Sequence, residues 1–262
     1  MKKTIKISGL RYDVDDPVDI SIPLCFNGPQ PNAYDVERAS SIPVRAGELV
    51  GDTRLGGSVN FEQYTFIPHC NGTHTECVGH ITHDRISVRD CLKDVFVSAL
   101  LISVSPEWTG GSDDLVITLE SIETAMSTSN RDTGDAAALI VRTLPNNDSK
   151  LTREYGDDAV PPYFSIDAIQ YLVERGFEHL LVDLPSVDRL FDDGKLANHR
   201  IFWNVDAGSF ETNENTRRNC TVTELIYVPN SVEDGRYLLN LQIAPFDADA
   251  SPSRPVLFRS LN

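Results

Sequence analysis

The chain has no run approaching the ~18 consecutive apolar residues of a membrane-spanning helix, so a helical membrane protein is excluded and no membrane partner is expected. Basic residues are scarce: 23 Lys plus Arg face 39 Asp plus Glu, a net charge of −16. That balance repels nucleic-acid phosphates at long range, so no nucleic acid is expected as a partner either. The opening residues, with Lys6, Arg11, Asp13, Asp15 and Asp16, leave no room for the ~7 to 15 apolar residues of a secretory signal, which points to the cytoplasm. Cysteines are few and odd in number. Cys25, Cys70, Cys77, Cys91 and Cys220 contain no C-x-x-C pair, which argues against a disulfide scaffold or zinc ribbon and for reduced thiols. Also missing are G-x-G-x-x-G, the Walker A loop, the G-x-S-x-G elbow and H-E-x-x-H, so nucleotide binding and serine hydrolysis have no motif to rest on.

What remains is an ordinary globular composition, 40% apolar and 24% charged, with no repeat and no linker-like stretch. A single domain over 1–262 is the simplest parse. Residues 18–24 alternate like a half-buried strand, and the Gly- and Pro-rich stretch that follows reads as a long functional loop. Further strands are expected at 60–67, 95–104, 114–118, 137–143, 179–183, 222–228, 237–244 and 255–258. Helices are expected around 119–127 and at 165–175, where Ser165 is a plausible N-cap, Ile166, Ile169, Leu172 and Val173 form an apolar stripe and Gly176 ends the helix. The class is mixed α/β, strand-rich with a few helices.

Residues 69–83, His-Cys-Asn-Gly-Thr-His-Thr-Glu-Cys-Val-Gly-His-Ile-Thr-His, hold four of the six histidines, two cysteines and a glutamate. Imidazole, thiolate and carboxylate are the groups that bind zinc or manganese. In an extended chain Cys70, His74 and Glu76 share a face. A helix would instead set His74 and Glu76 ~200° apart, and Asn71, Gly72 and Thr73 are poor helix formers. A straight strand separates Cys70 from His80 by ~33 Å, so the chain has to bend, and Gly72 and Gly79 are the places for it.

The segment from Cys70 to His80 resembles the H-x-G-T-H-x-D-x-P-x-H motif of the putative cyclase family, which includes bacterial kynurenine formamidases and, as relatives, isatin hydrolases. The resemblance spans most of the chain. Asp19-Ile-Ser-Ile-Pro-Leu24 is similar to the family's opening, and Pro161 to Ser165, Leu181 to Asp188 and Asn198-His199 to its central segments. Thr223-Glu-Leu225, Asp234-Gly-Arg-Tyr237 and Pro252-Ser-Arg-Pro-Val256 are similar to its closing ones.

The resemblance implies a swivelling β/β/α fold, a homo-oligomer and a hydrolytic centre of one or two zinc ions, with manganese as the other candidate. Carried over residue by residue, it implies metal ligands at Cys70, His74, Glu76, His199 and Glu224, with His80 as the catalytic acid/base. Cys70 stands where the family has histidine, Glu76 where it has aspartate, and Val78 where it has proline. His69 is the alternative to Cys70, and Glu211 the alternative to Glu224. The expected chemistry is hydrolysis of a small amide, a formamide of the N-formylkynurenine type, or a cyclic amide, since bound Zn²⁺ lowers the pKa of water to ~7 and polarises a carbonyl. The alternative is a ligand- or metal-binding protein on the same fold that no longer turns substrate over.

Other residues have plainer roles. His83 is expected on an exposed loop and His179 at a helix-to-strand junction. Asp183 and Asp188 are expected to bind turn amides, and Cys25, Cys77, Cys91 and Cys220 to be core thiols. Phe26, Tyr34, Trp108 and Trp203 are candidates to stack on an aromatic substrate.

Overall fold

The apolar runs at 95–104, 137–143 and 179–183 are too uniform for strands with one wet face, and the structure shows that both of their faces are covered. A computed structural model describes residues 3–7, 9–110, 114–128 and 136–261. Its main sheet has nine strands: β1 (Val18–Asp19), β2 (His74–Glu76), β3 (Phe96–Val104), β4 (Ala138–Thr143), β5 (His179–Val182), β6 (Thr221–Glu224), β7 (Gly235–Asn240), β8 (Ala250–Pro252) and β9 (Val256–Arg259). They lie in the order β8-β2-β6-β5-β4-β3-β7-β9-β1. The four central strands β3 to β6 run parallel, and the strands outside them pair antiparallel.

The sheet curls until the chain just beyond its β1 edge reaches the chain just beyond β6. Just beyond β1, Ser21 bridges to Ile226 just beyond β6, and the Tyr227 amide donates to the Ile20 carbonyl at 2.8 Å. Inside the curl Ala99, Leu101, Ile140, Leu181, Tyr237, Leu239 and Leu257 pack as one cluster. The alternate residues, among them Leu100, Ile102, Leu139, Val141, Leu180 and Val222, pack with Ile122, Ile169, Leu172, Phe202 and Trp203 from three helices. These are α1 (Leu119–Thr128), α2 (Ile166–Glu174) and α3 (Ala197–Trp203). A parallel sheet buried on both faces reads as continuous apolar runs, and each fully buried aliphatic side chain contributes about 1.5–3 kcal/mol.

The mixed α/β class is as expected, and α2 falls where its stripe put it. Ala168, Ile169 and Leu172 are buried, and Gly176 takes the left-handed conformation, φ 83°, that ends a helix. Ser165 does not cap through its side chain; its hydroxyl bonds Asp167 instead. Other expectations change: the strands expected at 222–228 and 237–244 are seen as Thr221–Glu224 and Gly235–Asn240. The strand at 18–24 shortens to Val18–Asp19, because beyond it the chain leaves β9 to close the curl. The strand at 60–67 narrows to Glu62–Thr65 and pairs with Ser40–Pro43 outside the main sheet. Helix α3 was not foreseen, and its first turn is held from a distance: Asp188 accepts from the amides of Asn198 at 2.7 Å and His199 at 3.2 Å.

Candidate metal centre

The pairing of β2 with β6 builds the centre. Glu224 lies opposite His74 and Val222 opposite Glu76, so the alternation of side chains sends His74, Glu76 and Glu224 to one face. Between them Thr75 and Thr223 point to the other face and share a hydrogen bond of 2.8 Å. Thr73 ties this pair of strands to the first loop, accepting from the Ile22 amide at 2.7 Å and donating to the Leu225 carbonyl. Beyond the strand, a tight turn at Val78–Ile81 swings His80 back over Glu76. Gly79 is required in that turn, because a Cβ there would overlap the Ile86 backbone.

Two side chains, His74 and Glu76, fall as the extended-chain argument requires, but Cys70 does not. It belongs to a single helical turn, Pro68–Asn71, so strand parity does not extend to it. The thiol is buried, and burial, then Glu224, pushes its pKa up to about 11.

His74 is fully buried, and its Nδ1 sits 3.0 Å from the Gly72 carbonyl. A carbonyl only accepts, so Nδ1 carries the proton and Nε2 is left with a lone pair. That atom has no hydrogen-bond partner and faces Glu224 Oε2 at 3.5 Å. Two electron-rich atoms held together without a proton between them fit a cation. His199 is anchored in the same way through Nδ1, although its Nε2 already has a hydrogen-bond partner in Glu76. Asp188 holds its Nδ1 at 2.6 Å, while Nε2 faces Glu76 Oε1 at 2.9 Å and Glu224 Oε1 at 3.6 Å. An imidazole anchored through one nitrogen by a carboxylate or carbonyl is the usual support of a metal ligand. Glu224 Oε1 also accepts from the Val187 amide at 3.0 Å. The donor set fits a divalent metal.

Charge organises the same atoms. Burial disfavours the Glu76 carboxylate, yet His80, His199 and His69 hold it well below the usual carboxylate range. Burial likewise opposes a charged His199, but Asp188, Glu224 and Glu76 outweigh it and raise the ring's pKa well above its ordinary value.

On the outer side of Glu76 stands a second gathering. His69 Nε2 lies 3.1 Å from Asp249 Oδ2 and 3.6 Å from Glu76 Oε2, and His80 Nδ1 lies 3.4 Å and 3.9 Å from the same two oxygens. The two rings stack with centroids 4.6 Å apart. Asp249 was missed in the sequence. It precedes β8, whose Ala250 pairs with Glu76, so the one available signal was an acid just ahead of Pro252-Ser-Arg-Pro-Val256.

Of the remaining candidates, Glu211 and His83 are exposed, and His83 stacks on Phe210. Asp183 pairs with buried Lys150 at 2.8 Å and accepts from Thr143, a structural role as expected. Asp188 accepts from the first-turn amides of α3 rather than from amides of its own turn, and in addition anchors His199. Cys25 is exposed rather than a core thiol. Trp203 is buried with its ring centroid 5.3 Å from that of His199, whereas Trp108 is 70% exposed. Phe26 packs on Tyr64. Tyr34 reaches the centre: burial, then Glu224, raises its pKa to about 12, against the pull of a hydrogen bond to Ser186.

The model of the putative cyclase family matches residues 18–189. The kynurenine formamidase of Bacillus cereus is 29% identical over 248 residues, covering 92% of this chain and 96% of that protein. The kynurenine formamidase of Bacillus anthracis is 30% identical over 213 residues, 80% of this chain and 85% of that protein. Among solved structures, one called a predicted metal-dependent hydrolase from Bacillus stearothermophilus superposes with a TM-score of 0.60 at 15% identity, over 93% of this chain and 98% of the other. Isatin hydrolase A from Labrenzia aggregata gives 0.64 at 16% identity, with 93% of each chain covered. Identities this low speak for the fold, and the fold agrees with the family match: the chain belongs to the putative cyclase family.

Proposed function

We propose that the chain is a metal-dependent hydrolase of the C–N bond in a small amide, either an aryl formamide of the N-formylkynurenine type or a cyclic amide of the isatin type. The observation that carries this reading is the lone pair of His74 Nε2, fully buried, unpartnered and aimed at Glu224. The names of the relatives supply the substrate classes. In this reading His74, Glu76, His199 and Glu224 hold a divalent ion, with zinc favoured by the nitrogen and oxygen donors and manganese also accommodated. When bound, such an ion polarises the carbonyl and makes water a better acid.

The chain's own groups do the rest. Asp188 and the Gly72 carbonyl fix the His199 and His74 rings, so that each presents Nε2 inward. His80 is half-buried at the rim; burial opposes its charge, but Glu76 and Asp249 raise its pKa. It is placed to take a proton from the attacking water as the C–O bond forms and to give it to the leaving nitrogen as the C–N bond breaks. The products are a carboxylate and an amine. Tyr34 stands near enough to Glu224 to feel its charge and is partly exposed, so an aryl ring would sit beside it, whereas Trp203 is fully buried behind His199.

A cytoplasmic homo-oligomer belongs to the same reading. No helix among the described residues is long and apolar enough to cross a membrane. The test is hydrolysis of N-formylkynurenine and isatin by gently purified protein, before and after chelation and reloading. Turnover that vanishes with the metal and returns with it is expected. Tight metal uptake with no turnover of formamides, lactams or cyclic imides would make the chain a binding protein on this fold.

A further inference from the structure

We propose that the Tyr34 hydroxyl, oriented by Ser186, donates a hydrogen bond to the carbonyl oxygen of the amide that is cleaved, which makes Tyr34 a catalytic residue of this chain. The inference rests on the hydrolase reading and adds to it the group that meets the substrate's oxygen.

The backbone argues first. Tyr34 and Asp35 both lie in the left-handed region, at φ 63° and 52°, a conformation that a bulky side chain seldom adopts. Their neighbours hold them there. Asn32 and Ala33 pair with Glu154 and Tyr155, and the Asn32 side-chain amide donates across the turn to the Val36 carbonyl at 2.7 Å. Asp35 lies so close to Gly156 that a Cβ there would crowd its carboxylate. Backbone strain maintained in this way collects at functional sites. Its result here is a phenol set edge-on against Phe191, with ring centroids 6.3 Å apart, whose hydroxyl bonds Ser186 and stands near Glu224 and His199.

Ser186 gives the phenol its direction. Its Oγ accepts from the Asp188 amide at 3.1 Å, so this buried hydroxyl keeps one proton to donate, and the Tyr34 oxygen is the acceptor beside it. A relay from the Asp188 amide through Ser186 to Tyr34 turns the phenol's own proton toward the space bounded by Glu224 and His199. The phenol keeps that proton at neutral pH, because burial and then Glu224 raise its pKa to about 12. The same turn brings the Val187 amide to Glu224 at 3.0 Å and the Asp188 carboxylate to His199 at 2.6 Å. Three successive residues thus fix a phenol, a carboxylate and an imidazole relative to one another. As the oxygen of the attacking water bonds the carbonyl carbon, negative charge gathers on the carbonyl oxygen. A donor already aimed at that oxygen stabilises the charge without reorganising.

The experiment compares the full chain with Tyr34→Phe, Ser186→Ala and the double variant in hydrolysis of N-formylkynurenine and isatin, with metal analysis and thermal melts of each. Tyr34→Phe should lower kcat by ~10², with KM within about threefold and metal content and melting temperature unchanged, since the bond strengthens only as the transition state forms. Ser186→Ala should lose less, and the double variant should fall short of the product of the two single losses, as expected of groups in one relay. An unchanged kcat in Tyr34→Phe, or a rise in KM alone, would reduce Tyr34 to a wall of the pocket and overturn the proposal while leaving the hydrolase reading intact. A lower kcat that comes with lost metal or a lower melting temperature would make Tyr34 structural and overturn it as well. Fully multiplicative losses would overturn the relay. No turnover of either substrate by metal-loaded wild type would sink both the proposal and the reading beneath it.

Discussion

Strands β5 and β6 carry a buried imidazole near each end, and the two ends have different fates. At the amino end His179 begins β5, its Nδ1 2.8 Å from Thr221 Oγ1 and its Nε2 without a partner. Asp94 and Glu178 stand within reach, but both are exposed. Burial pulls the His179 pKa down to about 4, so the ring is neutral. At the carboxyl end the imidazoles of His74 and His199 meet Glu76, Glu224 and Asp188, all buried with them. Low dielectric strengthens each charge there. An orphaned ring nitrogen is thus common to both ends, and what makes one end a site is carboxylates taken out of water beside it. This is also the end where ligands settle in parallel sheets.

The contrast can be broken by mutation. Glu76→Gln removes the carboxylate shared by both sets of imidazoles and should lower kcat/KM by ~10³ or more, since it takes away charge on which metal and transition state depend. His179→Asn, at the other end, should leave kcat/KM within about twofold and metal content unchanged, as steady-state kinetics and metal analysis would show. Next in size is His80→Ala, with an expected fall in kcat of ~10² to 10⁴ and full metal content. Asp188→Asn keeps the shape of the His199 anchor but weakens it, and a loss of ~10 to 100-fold in metal affinity or rate is expected.

The smallest effect sharpens the comparison from the structural end. His179 stays neutral in the fold down to about pH 4 but titrates near 6.5 when unfolded. Protons therefore favour the unfolded chain, and the stability this ring contributes above pH 6.5 is lost as pH falls toward 4. Between pH 7 and pH 5 the loss amounts to about 2 kcal/mol. Urea unfolding of wild type should show it, and His179→Asn should lack that part of the acid sensitivity. An identical pH dependence in the variant would mean that His179 is not the group responsible.

How much of this could be read in the sequence follows from what each inference depends on. His74, Glu76, His80, His199 and Glu224 were named from motif and resemblance, and the structure gathers all five; strand parity alone joined His74 to Glu76. Periodicity located β3, β4, β5 and α2, because their burial is a local pattern of apolar residues. Parity failed at Cys70, since it assumes a strand and the chain there is a helical turn begun by Pro68. Asp249 and the anchoring by Asp188 were out of reach for another reason: both depend on which distant strand or helix lies alongside. Helix α3 was missed because seven residues hardly establish a period, and its first turn is capped by Asp188 rather than by a neighbour.

Anomalous scattering from a crystal grown with zinc would decide between the two ends. A peak among His74 Nε2, Glu224 and Glu76, with none beside His179, is the predicted result. A peak at His179, or a cluster around Glu76 that stays empty at saturating zinc, would contradict the account.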